Sequence, residues 1–351
     1  MEQYRINEVN GMDFGLYTLG DHIPNPLKGS RISAQQRIQE IIEASQLAEQ
    51  AGIEVFAVGE SHQQYFTTQA HTVVLGAIAQ ATKSIKLASS ATVLSVADPV
   101  RVYEDFATID LLSNGRAEIV AGRGSRVGAH ELFGVSLRDY EEIFEEKLAL
   151  LKQLNDNTVV NYNGKFRPAL KDAHILPQPL NGSIPIWRAV GGPPGSAIKA
   201  GYMGIPMMLT TLGGPSINFK ASVDAYREAA DRNGFDAASL PIATTSLFYV
   251  AETEKEAVDG MHPHLSGGFQ AIRGQGYPRW QVEQAPQVED ALMVGSPNQI
   301  IEKILYQYEL FGMQRFMAQI DFGGVPFDKV MKNIELIGNE IIPAIKKYTA
   351  K

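Results

Sequence analysis

Gly122, Arg123 and Gly124 close a short apolar run in DPVRVYEDFATIDLLSNGRAEIVAGRG, residues 98–124. A guanidinium presents a fixed fork of donors that matches phosphate, and flanking glycines let a ligand approach the backbone. The predicted chemistry is anion capture, and the anion that suits such a strand end is a phosphorylated cofactor. The alternative use of Arg123 is an ion pair with a carboxylate such as Glu131.

A second anion candidate is Gly191-Gly192-Pro193-Pro194-Gly195-Ser196. Its glycines leave amides bare, and Gly195-Ser196 opens a helix whose first turn carries unpaired N–H groups and partial positive charge. The same residues also suit a plain turn between strand and helix. The segment is not GxGxxG, and no acidic residue follows at the ribose-binding distance, which disfavours a dinucleotide fold.

Proton chemistry points to Gly59-Glu60-Ser61-His62-Gln63-Gln64. A neutral imidazole at His62 could relay a proton near neutral pH, or it could be a loop histidine bonded to a carbonyl. Glu60 could act as acid or base, or hold backbone amides. His71 falls in a predicted helix and reads as structural. His262 and His264 form His-Pro-His without a clear third ligand, so no metal site is expected. The chain has no Cys, which excludes disulfides, thiolate zinc sites and cysteine nucleophiles. A net charge of -8 with no basic run argues against nucleic-acid partners. MEQYRINEVNG lacks the pattern of a secretory signal, and no apolar stretch reaches about 18–20 residues. The expectation is a cytoplasmic protein without a membrane partner.

These residues need a scaffold that brings them to one place. Apolar runs predict strands at 12–18, 53–58, 85–94, 117–121, 184–190, 205–210, 241–250 and 315–320, alternating with helix-period segments. Asp98 is a cap and Pro99 an early helical residue, while Gly52 closes the first long helix. Eight such units in 351 residues fit a (β/α)8 TIM barrel, with a doubly wound open sheet as the competitor. In the barrel, the ends of strands two to five share one face. Arg116 then lies at the other face, as a salt-bridge or turn residue. NYNGKFR reads as a small hairpin. Residues 252–296, including HPHLSGGFQAIRGQGYPRW, read as an insertion after strand seven, a lid loop within a single domain over 1–351.

The 98–124 segment, together with IPIWRAVGGPPGSAIKAGYMGIPMML and VGSPNQIIEKILYQYELFGMQRF, resembles the bacterial luciferase-like flavin-dependent monooxygenase family. The likeness runs over nearly the whole chain and includes a final helix ending EIIPAIKK. It implies a (β/α)8 barrel with an insertion near strand seven. The implied cofactor is reduced flavin mononucleotide (FMN), or in one branch the deazaflavin F420, at the C-terminal face. Arg123 falls on the arginine that holds flavin phosphate. Val190, Gly191, Gly192 and Ser196 fall on the residues lining the phosphate, and Ser90-Ala91 on a position where the family often has a non-proline cis peptide beneath the ring. His62 is the implied catalytic residue, as a proton donor or hydrogen-bond partner.

Two positions depart from the family pattern. Ser61 replaces the first histidine of Glu-His-His. Glu141 stands where a second phosphate-binding arginine is expected, and neighbouring Tyr140 could supply a hydroxyl instead. The implied activity is oxidation of a small organic substrate with reduced FMN and O2, an oxidoreductase acting on paired donors. The alternatives are an F420- or flavin-dependent reductase that transfers hydride, and a non-catalytic flavin-binding protein, which Ser61 favours. A separate flavin reductase and a homodimer are implied as partners.

Overall fold

Strands buried on both faces are what a parallel sheet wrapped in helices requires, and the apolar runs of this chain behave that way. The computed structural model describes residues 1–124 and 127–351. Eight runs form β1 (Asp13–Thr18), β2 (Val55–Val58), β3 (Lys86–Ser89), β4 (Ala117–Gly122), β5 (Ile186–Val190), β6 (Met207–Thr210), β7 (Ile242–Val250) and β8 (Arg315–Gln319). Each pairs in parallel with its sequence neighbour. β8 also pairs with β1, through Asp13↔Arg315 to Leu16↔Ala318, so the sheet closes into a (β/α)8 barrel. The open-sheet alternative is thereby excluded.

The helices start where their caps say they should. Ser33 accepts the Gln36 N–H before Ala34–Gln50, and Asp98 accepts the Val100 N–H before Pro99–Leu112. Burial is divided in two. Tyr17, Val55, Ala57, Ala88, Val120, Trp187 and Met317 fill the barrel interior, while the larger cluster lies between strands and helices.

Ile6 joins the interior cluster from below, so the N-terminal segment stops the barrel floor. Above it, the fully buried Arg315 binds Asp13 (3.0 Å) and Glu118 (2.6 Å) and lies 4.8 Å over the Trp187 ring. Trp187 donates to Glu118 at 3.0 Å, and Lys86 binds Asp13 at 2.6 Å. Burial would raise the Asp13 carboxyl, but Arg315 and Lys86 outweigh it and hold Asp13 below the usual range. Arg116 lies at this floor too. Among the described residues it forms no salt bridge; its guanidinium donates instead to the carbonyls of Ser113, Ile85 and Ala79.

Three elements differ from expectation. The predicted strand 85–94 breaks at a cis peptide between Ser90 and Ala91, then resumes as Thr92–Val93 beside Ala121 and Gly122. The small hairpin forms from Val160–Tyr162 and Leu170–Ala173, with a longer connection than an Asn-Gly turn. The insertion is not an open loop. Its first half is the 20-residue helix Glu254–Arg273, opened by a Thr253–Glu256 capping box. Its glycines serve packing: a side chain at Gly268 would strike Phe322, and the helix in turn lies so close to the loop after β8 that a side chain at Gly323 would strike the His264 carbonyl. A second helix, Arg279–Gln284, and a strand, Met293–Gly295, which pairs in parallel with the end of β7 (Phe248–Val250), complete the insertion. Among the described residues, no helix is long and apolar enough to cross a membrane.

Candidate active site

A cavity of about 590 Å³ opens at the C-terminal ends of the strands. Every strand supplies a wall residue, at or just past its end except for Thr245 within β7: Tyr17, Ser61, Ser90, Gly122, Val190, Thr210, Thr245 and Gln319 run round the barrel in order. Apolar side chains, among them Leu19, Val93, Val120, Met208 and Phe322, fill the spaces between.

One wall is a backbone shelf at Ser90 and Ala91, held by residues that follow β2. Glu60 accepts the Val93 N–H at 2.6 Å and is bonded through its other oxygen to His62 Nε2. His71 Nε2 lies 2.8 Å from Thr92 Oγ1. Gly59 leaves room for the Ser90 carbonyl, which a side chain there would overlap. Burial pushes the Glu60 carboxyl up, but bonds from His62 and Val93 and the charge of His71 outweigh it, so it stays below the usual range. Burial lowers His71 and keeps its ring neutral near pH 7, although Glu60 pulls the other way. Glu60 is therefore a fixed anion in the cavity wall, not a proton donor.

Arg123 stands on the rim beside the shelf. Ser95 Oγ holds its carbonyl at 2.7 Å, and its guanidinium lies 5.7 Å from the Tyr140 ring centroid. Its partner is Glu141, at 2.7 Å, and not the Glu131 named as an alternative. Lys199 reaches Glu145 at 3.2 Å and Glu141 at 3.9 Å. Arg188, fully buried on β5, binds both Glu145 oxygens at 2.6 and 2.7 Å.

The predicted site residues separate into two groups. Ser90, Ala91, Arg123, Val190 and Gly191 line the cavity together. Gly192, Ser196 and His62 do not. Gly192 accepts from Ser222 at 2.7 Å, and the Ser196 hydroxyl turns under the loop to Arg188 Nε at 3.2 Å. His62 has a left-handed backbone, φ 51°, which directs its ring behind Glu60 and edge-on to Phe133 at 4.9 Å. Its route to the cavity is through Glu60. His262 and His264 each face a backbone carbonyl, of Tyr277 and Gly323. Gly191, Gly192 and Gly195 have nothing within 4 Å of where a side chain would begin, so the loop fronts open space.

Sequence reasoning passed over Tyr17, Thr245 and Gln319. Tyr17 and Gln319 are polar groups late in otherwise apolar strands, whereas Thr245 sits mid-strand between Thr244 and Ser246, where nothing local marks it. Burial raises the Tyr17 hydroxyl well above its usual value, against a bond with Thr245. Phe269 and Arg273 also reach the cavity, from the insertion helix, and nothing local in the sequence announced that.

The cavity has the volume for a fused ring system, Ser90 and Ala91 give it a backbone wall, and Arg123 on its lining is a cation able to meet a phosphate. The residues fit a flavin in shape. In charge they fit with a qualification, because Glu141 already occupies one Arg123 donor.

Comparison with known proteins agrees with this geometry. The flavin-dependent trigonelline monooxygenase oxygenase component of Acinetobacter baylyi is 25% identical, covering 90% of this chain and 93% of its own length. The monooxygenase RslO1 of Streptomyces bottropensis superposes with a TM-score of 0.83 at 22% identity, over 95% of this chain and 99% of that one. The oxygenating constituent of 3,6-diketocamphane monooxygenase of Pseudomonas putida, in complex with FMN, gives 0.76 at 19% identity, over 95% and 98%. An F420-dependent secondary alcohol dehydrogenase gives 0.72 at 19%, over 95% and 99%. The model of the luciferase-like monooxygenases matches residues 12–315. A barrel closed by β8 on β1, a cavity at its strand ends and that match together make this chain a member of the luciferase-like monooxygenase family.

Proposed function

We propose that this protein is a flavin-dependent monooxygenase that uses reduced FMN and O2 to oxidise a small organic substrate. The observation that carries the reading is the cavity itself, with the Ser90–Ala91 shelf, Arg123 and Gly191 on one side. When bound, reduced flavin supplies the electrons for the chemistry of O2.

Arg123 grips the phosphate, the amides of 191–192 complete that contact, and Val190 walls it. Ser90 and Ala91 support the ring, and Ser196, bonded to Arg188, holds the 191–196 phosphate loop from beneath. The apolar walls exclude water, and the insertion over 252–296, through Phe269 and Arg273, covers the mouth as a lid. His62 acts as a hydrogen-bond partner, holding the Glu60 carboxylate in place in the cavity wall. A separate reductase supplies the reduced flavin. Support for that partner comes from the relative described as an oxygenase component and from the missing dinucleotide fingerprint.

FMN titration by fluorescence quenching, followed by oxygen uptake with reduced FMN and a substrate panel, tests the reading. Arg123→Ala should weaken FMN about 10- to 100-fold, the worth of one charged phosphate contact. Turnover with reduced F420 and no oxygen uptake would make the chain a reductase instead, and flavin binding without turnover a binding protein. Failure to bind any flavin refutes all three.

A further inference from the structure

Arg123 meets its ligand already engaged, and the residue that engages it has the wrong charge for a phosphate site. Glu141 takes the Arg123 NH1 donor at 2.7 Å, and its other oxygen lies 3.9 Å from Lys199 Nζ. Both members of the pair are substantially exposed, at 31% and 52%. A pair in that setting is weak and exchangeable. Lys199 has a second carboxylate, Glu145, at 3.2 Å, but Glu145 is mainly committed to the buried Arg188. Around the rim, then, Arg123 and Lys199 share one exposed carboxylate.

We propose that Glu141 is a displaceable counter-ion that sets how tightly this chain holds the phosphate of its flavin. An arriving phosphate takes the Arg123 donors, and Glu141 passes to Lys199. This rests on Arg123 being the phosphate site, as proposed above. The exchange replaces one anion by another at the same guanidinium, so the phosphate gains only the difference between two ion pairs. It also leaves a carboxylate beside a phosphate, whose repulsion Lys199 moderates. The result is a site that recognises the flavin ring by shape and grips its phosphate lightly. That suits a cofactor that arrives reduced and leaves oxidised in each turnover.

The test is a set of flavin titrations by fluorescence quenching on the full-length chain, comparing FMN with riboflavin, which has the ring and no phosphate. Glu141→Gln should tighten FMN about three- to tenfold and leave riboflavin within about twofold. Lys199→Ala should loosen FMN about two- to threefold in the native background and have no further effect in Glu141→Gln, the coupling expected if the lysine acts by receiving Glu141. The proposal is overturned if Glu141→Gln leaves FMN affinity unchanged or tightens riboflavin equally while Arg123→Ala still weakens FMN. If Arg123→Ala leaves FMN unchanged, the phosphate assignment itself fails and this inference goes with it. Riboflavin binding shows in each variant that the ring pocket is folded.

Discussion

The Glu60 carboxylate accepts the Val93 N–H at 2.6 Å, so the end of β2 is tied to the chain just beyond Ser90 and Ala91. The shelf that would carry a ring is held from behind by a buried anion. His71 on Thr92 adds a second tie. The residues most suggestive of proton chemistry in the sequence are, in the fold, the supports of a backbone surface.

Glu60→Gln should therefore weaken the protein by about 1–3 kcal/mol in urea unfolding at pH 7. The folded Glu60 titrates below the usual glutamate range. Its contribution is thus present above the ordinary value of about 4.3 and is lost as pH falls through the lower folded value. The native protein should lose stability faster than Glu60→Gln over that acid interval. Parallel pH profiles would remove Glu60 from this role.

Gly59, behind the Ser90–Ala91 shelf, and Gly191, on the cavity, should respond in opposite ways. A side chain on Gly59 would begin 2.1 Å from the Ser90 carbonyl oxygen. Gly59→Ala should displace the shelf, lower stability by about 1–3 kcal/mol and abolish tight flavin binding. Gly191 has an open front, so Gly191→Ala should melt like the native protein and weaken FMN alone. Calorimetry with paired FMN titrations checks both. Equal melting temperatures for the two variants would contradict the packing account.

The barrel floor depends on one guanidinium. Removing it in Arg315→Met leaves Asp13 and Glu118 buried side by side. The expected loss is about 3–5 kcal/mol in urea unfolding. Arg315→Lys should not rescue it, because an ammonium cannot serve two carboxylates with a planar fork. A near-native unfolding midpoint for either variant would show that the pair of acids is not held by Arg315.

Gln319 makes the opposite case. It is 3% exposed, and its Nε2 has no partner among the described residues. Gln319→Leu removes an unsatisfied donor and should leave stability unchanged or raise it by about 1 kcal/mol. A drop of that size or more in thermal unfolding would mean that the amide is bonded in solution.

The fold and the presence of a cation on the cavity lining were both legible in the chain, for different reasons. Strand and helix follow from periodicity, caps and turn residues, which act over a few positions, and eight repetitions leave a closed barrel as the economical arrangement. Arg123 was legible because glycines flank it at a strand end. That His62 lies behind Glu60 was not legible, because its backbone turns left-handed and its carbonyl packs closely on Gly128, 66 positions along the chain. The insertion was misread because Gly267 and Gly268 look like loop residues locally. Their small size in fact lets one helix lie against Pro26 and Phe322.

By itself, then, the order of residues determined the repeating units, the face on which strand ends collect, and the cation at its rim. Only the tertiary structure decided what that cation faces. Glu141 and Arg123 are 18 positions apart, Arg315 and Glu118 are 197 apart, and Gln319 stands on the strand diametrically across the barrel from Arg123. Such pairings follow from barrel closure and helix packing, which are set by the summed burial of many side chains and leave no mark in any short stretch of sequence.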